Sequence, residues 1–222
     1  KKLLDCLTNY YQYVDKAIDM ATFKEAINEA YYDTNNFSKL VLLINEIQNE
    51  NIKNKKIIAI GEIGLDYRHN KENKKEQLEM LEYFLGLAEN NILPVIIHSR
   101  EATGDLLDLL KRHKCKGIIH CFSGSLETAR EYINLGYKLG IGGVLTFKNC
   151  ILKDVLKEID LKHILLETDS PYLTPEPNRG KTNESSNIFY IAQKIAEIKN
   201  ISLENVAKIT TENAIRTFDL PI

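Results

Sequence analysis

The chain has 222 residues, 44% of them hydrophobic, enough for one globular domain with a buried core. Its formal net charge of -2 excludes a general electrostatic pull on polyanions, so any nucleic-acid contact has to be local. No apolar run approaches the ~20 residues of a membrane span, and the opening KKLLDCLTNYYQYVD lacks the continuous apolar core and cleavage site of a signal peptide.

The sequence opens at Lys1 rather than Met, so an upstream piece is expected. Residues 1–56 read mostly as helix, over VDKAIDMATFKEAINEAYYD (14–33) and FSKLVLLINEIQNEN (37–51), with at most a short strand at 30–32. From Ile57 the text changes character. IIAI (57–60) is short and β-branched and reads as a buried strand, and KEQLEMLEYFLGLAENN (75–91) has apolar residues at helical spacing. LPVIIH (93–98) is strand, with Pro94 tolerated near its start, and EATGDLLDLLKRH (101–113) is helix. GIIH (117–120) is strand. SLETAREYINLG (125–136) is helix, with Ser125 as N-cap and Gly136 near its end. YKLGIGG (137–143) is a short strand, NCILKDVLKEI (149–159) a helix, and HILLET (163–168) a strand. Two helices, near 187–199 and 203–218, close the chain. Alternating helices and continuously apolar strands predict a parallel sheet covered by helices, in five βα units.

Four cysteines, Cys6, Cys115, Cys121 and Cys150, form no C-x-x-C pair and are expected as free thiols in a reducing compartment. The cytoplasm is the expected location, or the nucleus.

The strand ends carry the chemistry. Glu62 follows IIAIG, His98 follows PVII, His120 follows GII, and Asp169 follows ILLET. Function in α/β folds sits at the carboxyl ends of parallel strands. A lone strand-end histidine is ordinarily a hydrogen-bonded structural group, and a lone glutamate a helix N-terminal acid. Four such residues at equivalent points point instead to a divalent-metal site of mixed nitrogen and oxygen donors, suited to Zn²⁺, Mn²⁺ or similar ions. His69, His113 and His163 read as solvated or structural.

The blocks IGEIGLDY (60–67), PVIIHSR (94–100), IIHCFSG (118–124), LLETDSPYLTP (165–175), RGKTNE (179–184) and ENAIRTF (212–218) resemble, in order, those of TatD-type metal-dependent deoxyribonucleases. These belong to the amidohydrolase-like TIM-barrel superfamily. The resemblance implies an α/β fold of TIM-type (β/α)8 barrel, forming one hydrolase domain over 1–222. It implies a divalent metal ion (Mg, Mn or Zn) as cofactor and DNA as substrate, with no membrane and no obligate protein partner. By the same resemblance Glu62, His98, His120 and Asp169 bind metal. Asp169 and Glu62 are the catalytic carboxylates, and Asp169 orients or deprotonates the attacking water. Arg100, Arg179 and Lys181 are expected to meet phosphate. Tyr172 would stack on a base or pack the Asp169 loop, and Asp66 shapes the loop or supports a ligand.

The chain departs from the family pattern in three places. The opening His-x-His strand and a Gly-x-His-Pro motif have no counterpart, since no histidine precedes His69. Thr182 and Ser185 stand where the last loop motif carries a basic residue and a proline. A βα unit takes about 30 residues, so three need about 90, and only 56 precede Ile57. The first strands are expected to be incomplete here, through residues missing from the chain rather than a true deletion. Two other readings stay open: a related hydrolase of esters or amides such as aminoacyl-tRNA, and a non-catalytic barrel serving as a binding protein.

Overall fold

The computed structural model describes residues 57–68 and 72–220. The helices and short strand expected before Ile57, together with Cys6 and His69, lie outside the described residues. In chain order the elements are β1 (Ile60–Asp66), α1 (Lys74–Asn91), β2 (Val95–Arg100), α2 (Thr103–Leu110), β3 (Gly117–Ile119), α3 (Leu126–Asn134) and β4 (Tyr137–Ile141). Then follow a 3₁₀ turn (Gly143–Thr146), α4 (Leu152–Glu158), a second 3₁₀ turn (Leu161–His163), β5 (Ile164–Leu166), a third (Ser185–Asn187), α5 (Ile188–Lys199) and α6 (Leu203–Phe218).

All four strand pairings are parallel and the order is sequential, β1-β2-β3-β4-β5. A doubly wound sheet would reverse its order at a switch point; a barrel does not. The described sheet therefore has the strand order of a (β/α) barrel. Strands β3 and β5 are apolar along their length because both faces are covered. Val95, Ile97, Leu139, Ile141 and Ile164 are fully buried, as are Leu81, Leu85, Leu106 and Ile195 of the helices around them. Each such side chain contributes about 1.5–3 kcal/mol relative to exposure.

The helices follow local rules. Ser125 caps α3 by accepting from the Thr128 N–H at 3.3 Å, and Ser202 caps α6 by accepting from Asn205 at 3.2 Å. The buried face of α1 is Met80, Leu81, Phe84, Leu85 and Ala88, a helical stripe. Several boundaries differ from the sequence expectation, and two of the differences have a visible cause. The helix expected over 101–113 is confined to Thr103–Leu110, because Glu101 has a φ of 55° and the chain tightens after Leu110. There His113 is clamped by Glu82 and Glu89 of α1, both at 3.1 Å, which is a structural role. The strand expected at 57–60 instead begins at Ile60 and runs through Glu62 to Asp66. Pairing with β2 continues to Asp66 opposite Arg100, past an irregularity between Ile60 and Ile63, so ladder bonds override the loss of apolar character.

Cys115, Cys121 and Cys150 are free thiols. Among the described residues no helix is long and apolar enough to cross a membrane.

Candidate metal centre

Two histidines, each flanked by carboxylates, stand at the carboxyl ends of the strands. The first is built across β1 and β2. Glu62, Gly64 and Asp66 share one side of β1, because side chains alternate along a strand. Gly64 lies opposite His98, with a φ of 148°, and a Cβ there would come within 2.0 Å of the His98 carbonyl oxygen. Only glycine lets the two backbones approach so closely. The His98 ring then fits between two acids, with Nδ1 2.8 Å from Glu62 Oε1 and Nε2 3.2 Å from Asp66 Oδ2. Gln77, in the first turn of α1, holds the Asp66 backbone from both sides. Its Oε1 accepts from the Asp66 N–H at 2.8 Å, and its Nε2 donates to the Asp66 carbonyl at 3.1 Å.

The second histidine joins β3 and β5. His120 Nδ1 is 2.9 Å from Glu167 Oε2, and Nε2 is 3.4 Å from Asp169 Oδ1. The other Glu167 oxygen accepts from the Cys121 backbone N–H. Strand β4 lies between β3 and β5, so Glu167 has to reach across it. Gly140 makes the space: a Cβ there would sit 2.6 Å from all three carboxylate atoms. The ring of His120 and the carboxylate of Glu167 are close to buried, at 14% and 13% side-chain exposure. Burial alone would depress the His120 imidazole. Hydrogen bonds to Asp169 and then Glu167, with the Glu167 charge, outweigh it and push the pKa far above the ordinary value. Burial also pushes the Cys121 thiol up to about 11.

The donor chemistry fits a cation. Four carboxylates, Glu62, Asp66, Glu167 and Asp169, converge on two imidazoles, an arrangement that needs positive charge. His120, Cys121 and Glu167 also offer ligand atoms within 4.8 Å of one another. Glu62, His98, His120 and Asp169, the residues expected from the sequence, all fall in these two groups. Glu167 and Cys121 were not anticipated. In the sequence Glu167 sits inside the expected strand HILLET (163–168); in the structure the strand stops at Leu166, and Glu167 and Asp169 both meet His120. Asp66 supports His98 directly.

Of the expected phosphate contacts, Arg179 and Lys181 lie on the loop between β5 and α5. Arg100 ends β2 and is half-buried. The Arg179 guanidinium lies 3.8 Å over the Phe147 ring, and Lys181 is exposed. Tyr172 is 63% exposed. Its loop is pinned by buried amides: Asn183 Nδ2 donates to the Tyr172 carbonyl at 2.6 Å, and Asn187 Nδ2 to Asn183 Oδ1 at 2.8 Å. The turn that carries Asp169 is thereby fixed from behind.

A family profile described as TatD related DNase matches residues 26–219. The chain is 48% identical over 167 residues to the uncharacterized metal-dependent hydrolase YabD of Bacillus subtilis, covering 73% of this chain and 66% of that protein. It is 37% identical over 168 residues to the uncharacterized metal-dependent hydrolase YcfH of Escherichia coli, covering 74% and 63%. An uncharacterized metal-dependent hydrolase of Buchnera aphidicola is 34% identical over 229 residues, covering 97% and 84%. Among solved structures, the Escherichia coli TatD homolog YjjV superposes with a TM-score of 0.73 at 32% identity, covering 78% of this chain and 68% of that one. A TatD family hydrolase of Entamoeba histolytica gives 0.70 at 27% identity, covering 90% and 81%. The chain thus spans about two thirds of the length of the Bacillus and Escherichia relatives. With the strand order and the strand-end residues, these matches fix its kinship: the chain belongs to the family of TatD-related DNases.

Proposed function

We propose that this chain carries the catalytic centre of a divalent-metal-dependent hydrolase that cleaves DNA phosphodiester bonds. The observation that carries the reading is the pair of carboxylate-flanked histidines, His98 and His120, at one end of a parallel sheet in a chain of this family. Glu62, His98, His120 and Asp169 would hold the metal, a donor set that suits Mn²⁺ or Zn²⁺ and accommodates Mg²⁺. A divalent ion held there supplies Lewis acidity toward a phosphoryl oxygen and makes water a readier nucleophile.

The chain's own residues do the rest. Asp169, on a turn closed by the Tyr172 N–H to the Asp169 carbonyl, accepts the proton of the attacking water. His120 Nε2 and Asp169 Oδ1, 3.4 Å apart, face the same point. Arg179, whose face stacks on Phe147, keeps its N–H groups in plane to grip phosphate, as Arg100 does from the end of β2 and Lys181 from the loop of Arg179 itself. Tyr172 offers an exposed ring against which a base can stack.

The test is a substrate panel with purified protein. Degradation of DNA in Mg²⁺, Mn²⁺ or Zn²⁺, abolished by chelator and by Asp169→Ala, is the expected outcome. Hydrolysis of small esters or aminoacyl-tRNA with DNA left intact in all three metals would overturn the DNA assignment.

A further inference from the structure

The site contains a carboxylate that none of the metal-holding roles uses. Glu167 is nearly buried, and both its oxygens are already engaged. One accepts the Cys121 backbone N–H, and the other lies 2.9 Å from His120 Nδ1. Each oxygen of Glu167 thus has a protein partner of its own. The fold has also made room for it here, since a Cβ at position 140 would collide with the carboxylate. Meanwhile the far nitrogen of His120, Nε2, faces Asp169 Oδ1 at 3.4 Å.

We infer that Glu167 is a positioning residue: it fixes the proton of His120 on Nδ1, so that the Nε2 lone pair is presented to a cation shared with Asp169. The inference rests on the metal reading above and names what aims one of its ligands. It also decides between two places for the ion. The cation belongs on the Nε2–Asp169 side of the ring, and not among His120, Cys121 and Glu167, although these three also offer donors within 4.8 Å of one another. A carboxylate that accepts from the remote nitrogen of a ligating histidine orients the ring and raises its basicity. Its loss typically weakens metal binding about 10–100-fold.

Glutamine in place of Glu167 is the informative change. It offers one oxygen and one NH₂. If the oxygen keeps the Cys121 N–H, the NH₂ faces His120 Nδ1 and donates to it. The imidazole proton then moves to Nε2, where it competes with the cation. Alanine in place of Gly140 displaces the same carboxylate without touching any ligand.

The experiment titrates the full chain with Co²⁺ and follows its visible and near-ultraviolet absorption. Wild type, Glu167→Gln, Gly140→Ala and Asp169→Ala are compared, and metal-free thermal melts establish that each variant is folded. The wild type should bind Co²⁺ without a thiolate-to-cobalt charge-transfer band, because the inferred position draws its ligands from His120 and Asp169 and not from Cys121. Glu167→Gln and Gly140→Ala should bind about 10–100-fold more weakly. At saturation Glu167→Gln should keep the wild-type ligand-field spectrum, which loss of a direct ligand would alter. A charge-transfer band in the wild type overturns the inference, and this measurement needs no variant. So does a folded Glu167→Gln that binds as tightly as the wild type while Asp169→Ala does not bind, an outcome that leaves the metal reading standing. Failure of the wild type to take up Co²⁺ overturns the metal reading and the inference with it.

Discussion

Asn213 of α6 joins the last helix to the strand that leads into the site. It is 3% exposed, and its Nδ2 donates to the carbonyls of Leu161 and Ile164, both at 2.8 Å. Ile164 opens β5, and Glu167 and Asp169 follow it. Asn213→Ala removes both donors, leaves two buried carbonyls short of a partner, and opens a small cavity. Two net hydrogen bonds at about 0.5–1.5 kcal/mol each, with the desolvation penalty of the abandoned acceptors, give a loss of about 2–4 kcal/mol. At ~2–4 °C per kcal/mol for a chain of this size, the thermal midpoint should fall by about 5–15 °C. Circular dichroism melts and urea titrations measure both quantities. Asn213→Asp should be worse than alanine, since it turns a carboxylate oxygen toward two carbonyls. Alanine within about 0.5 kcal/mol of wild type, or aspartate as stable as asparagine, would refute the bridging role.

Three further outcomes follow from particular residues. Gly64→Ala should destabilise by at least about 2 kcal/mol, through a strained φ and a clash with the His98 carbonyl, and normal stability in a urea titration would contradict the close approach of β1 and β2. Burial, then the charge of Glu89, pushes the Cys115 thiol up to about 11, so the native protein should resist thiol reagents at pH 8 and react once unfolded. Its raised pKa means that this stability is complete below the free-thiol value and is lost as pH rises toward about 11, which alkaline melts of wild type and Cys115→Ala would show. Glu89 is shifted the other way, below the usual carboxylate range, by the Lys114 backbone N–H and then by His113. Its contribution is present above the ordinary glutamate pKa and fades as pH falls below it. The stability gap between wild type and Glu89→Gln should therefore close in acid, and a gap independent of pH would contradict the clamp.

The helices and apolar strands after Ile57 were legible because burial on both faces writes itself as continuous runs of Ile, Leu and Val. Glu62, His98 and His120 were legible because each interrupts an apolar run, although β1 and β2 continue past Glu62 and His98. What the sequence concealed depends on neighbours far along the chain. Glu167 looks like one more residue of HILLET until Gly140 on the adjacent strand shows where its carboxylate goes. Strand β1 runs through two carboxylates to Asp66 because β2 pairs with it there, a fact no local pattern carries. Asn213, one letter of the block ENAIRTF, resembled a family signature, while its work is to hold β5 by two backbone carbonyls. The phosphate-facing roles of Arg100, Arg179 and Lys181 stay expectations of pattern, carried by their place on the strand-end loops.

The claim on which the rest depends is that strand-end residues gather one metal centre. A crystal of the full chain soaked in Mn²⁺ tests it through anomalous scattering. The account predicts a peak at the carboxyl ends of the strands, bonded to Nε2 of His120 and to Asp169. A map with manganese bonded to Cys121 and Glu167, or with no peak at that end of the sheet, would contradict it.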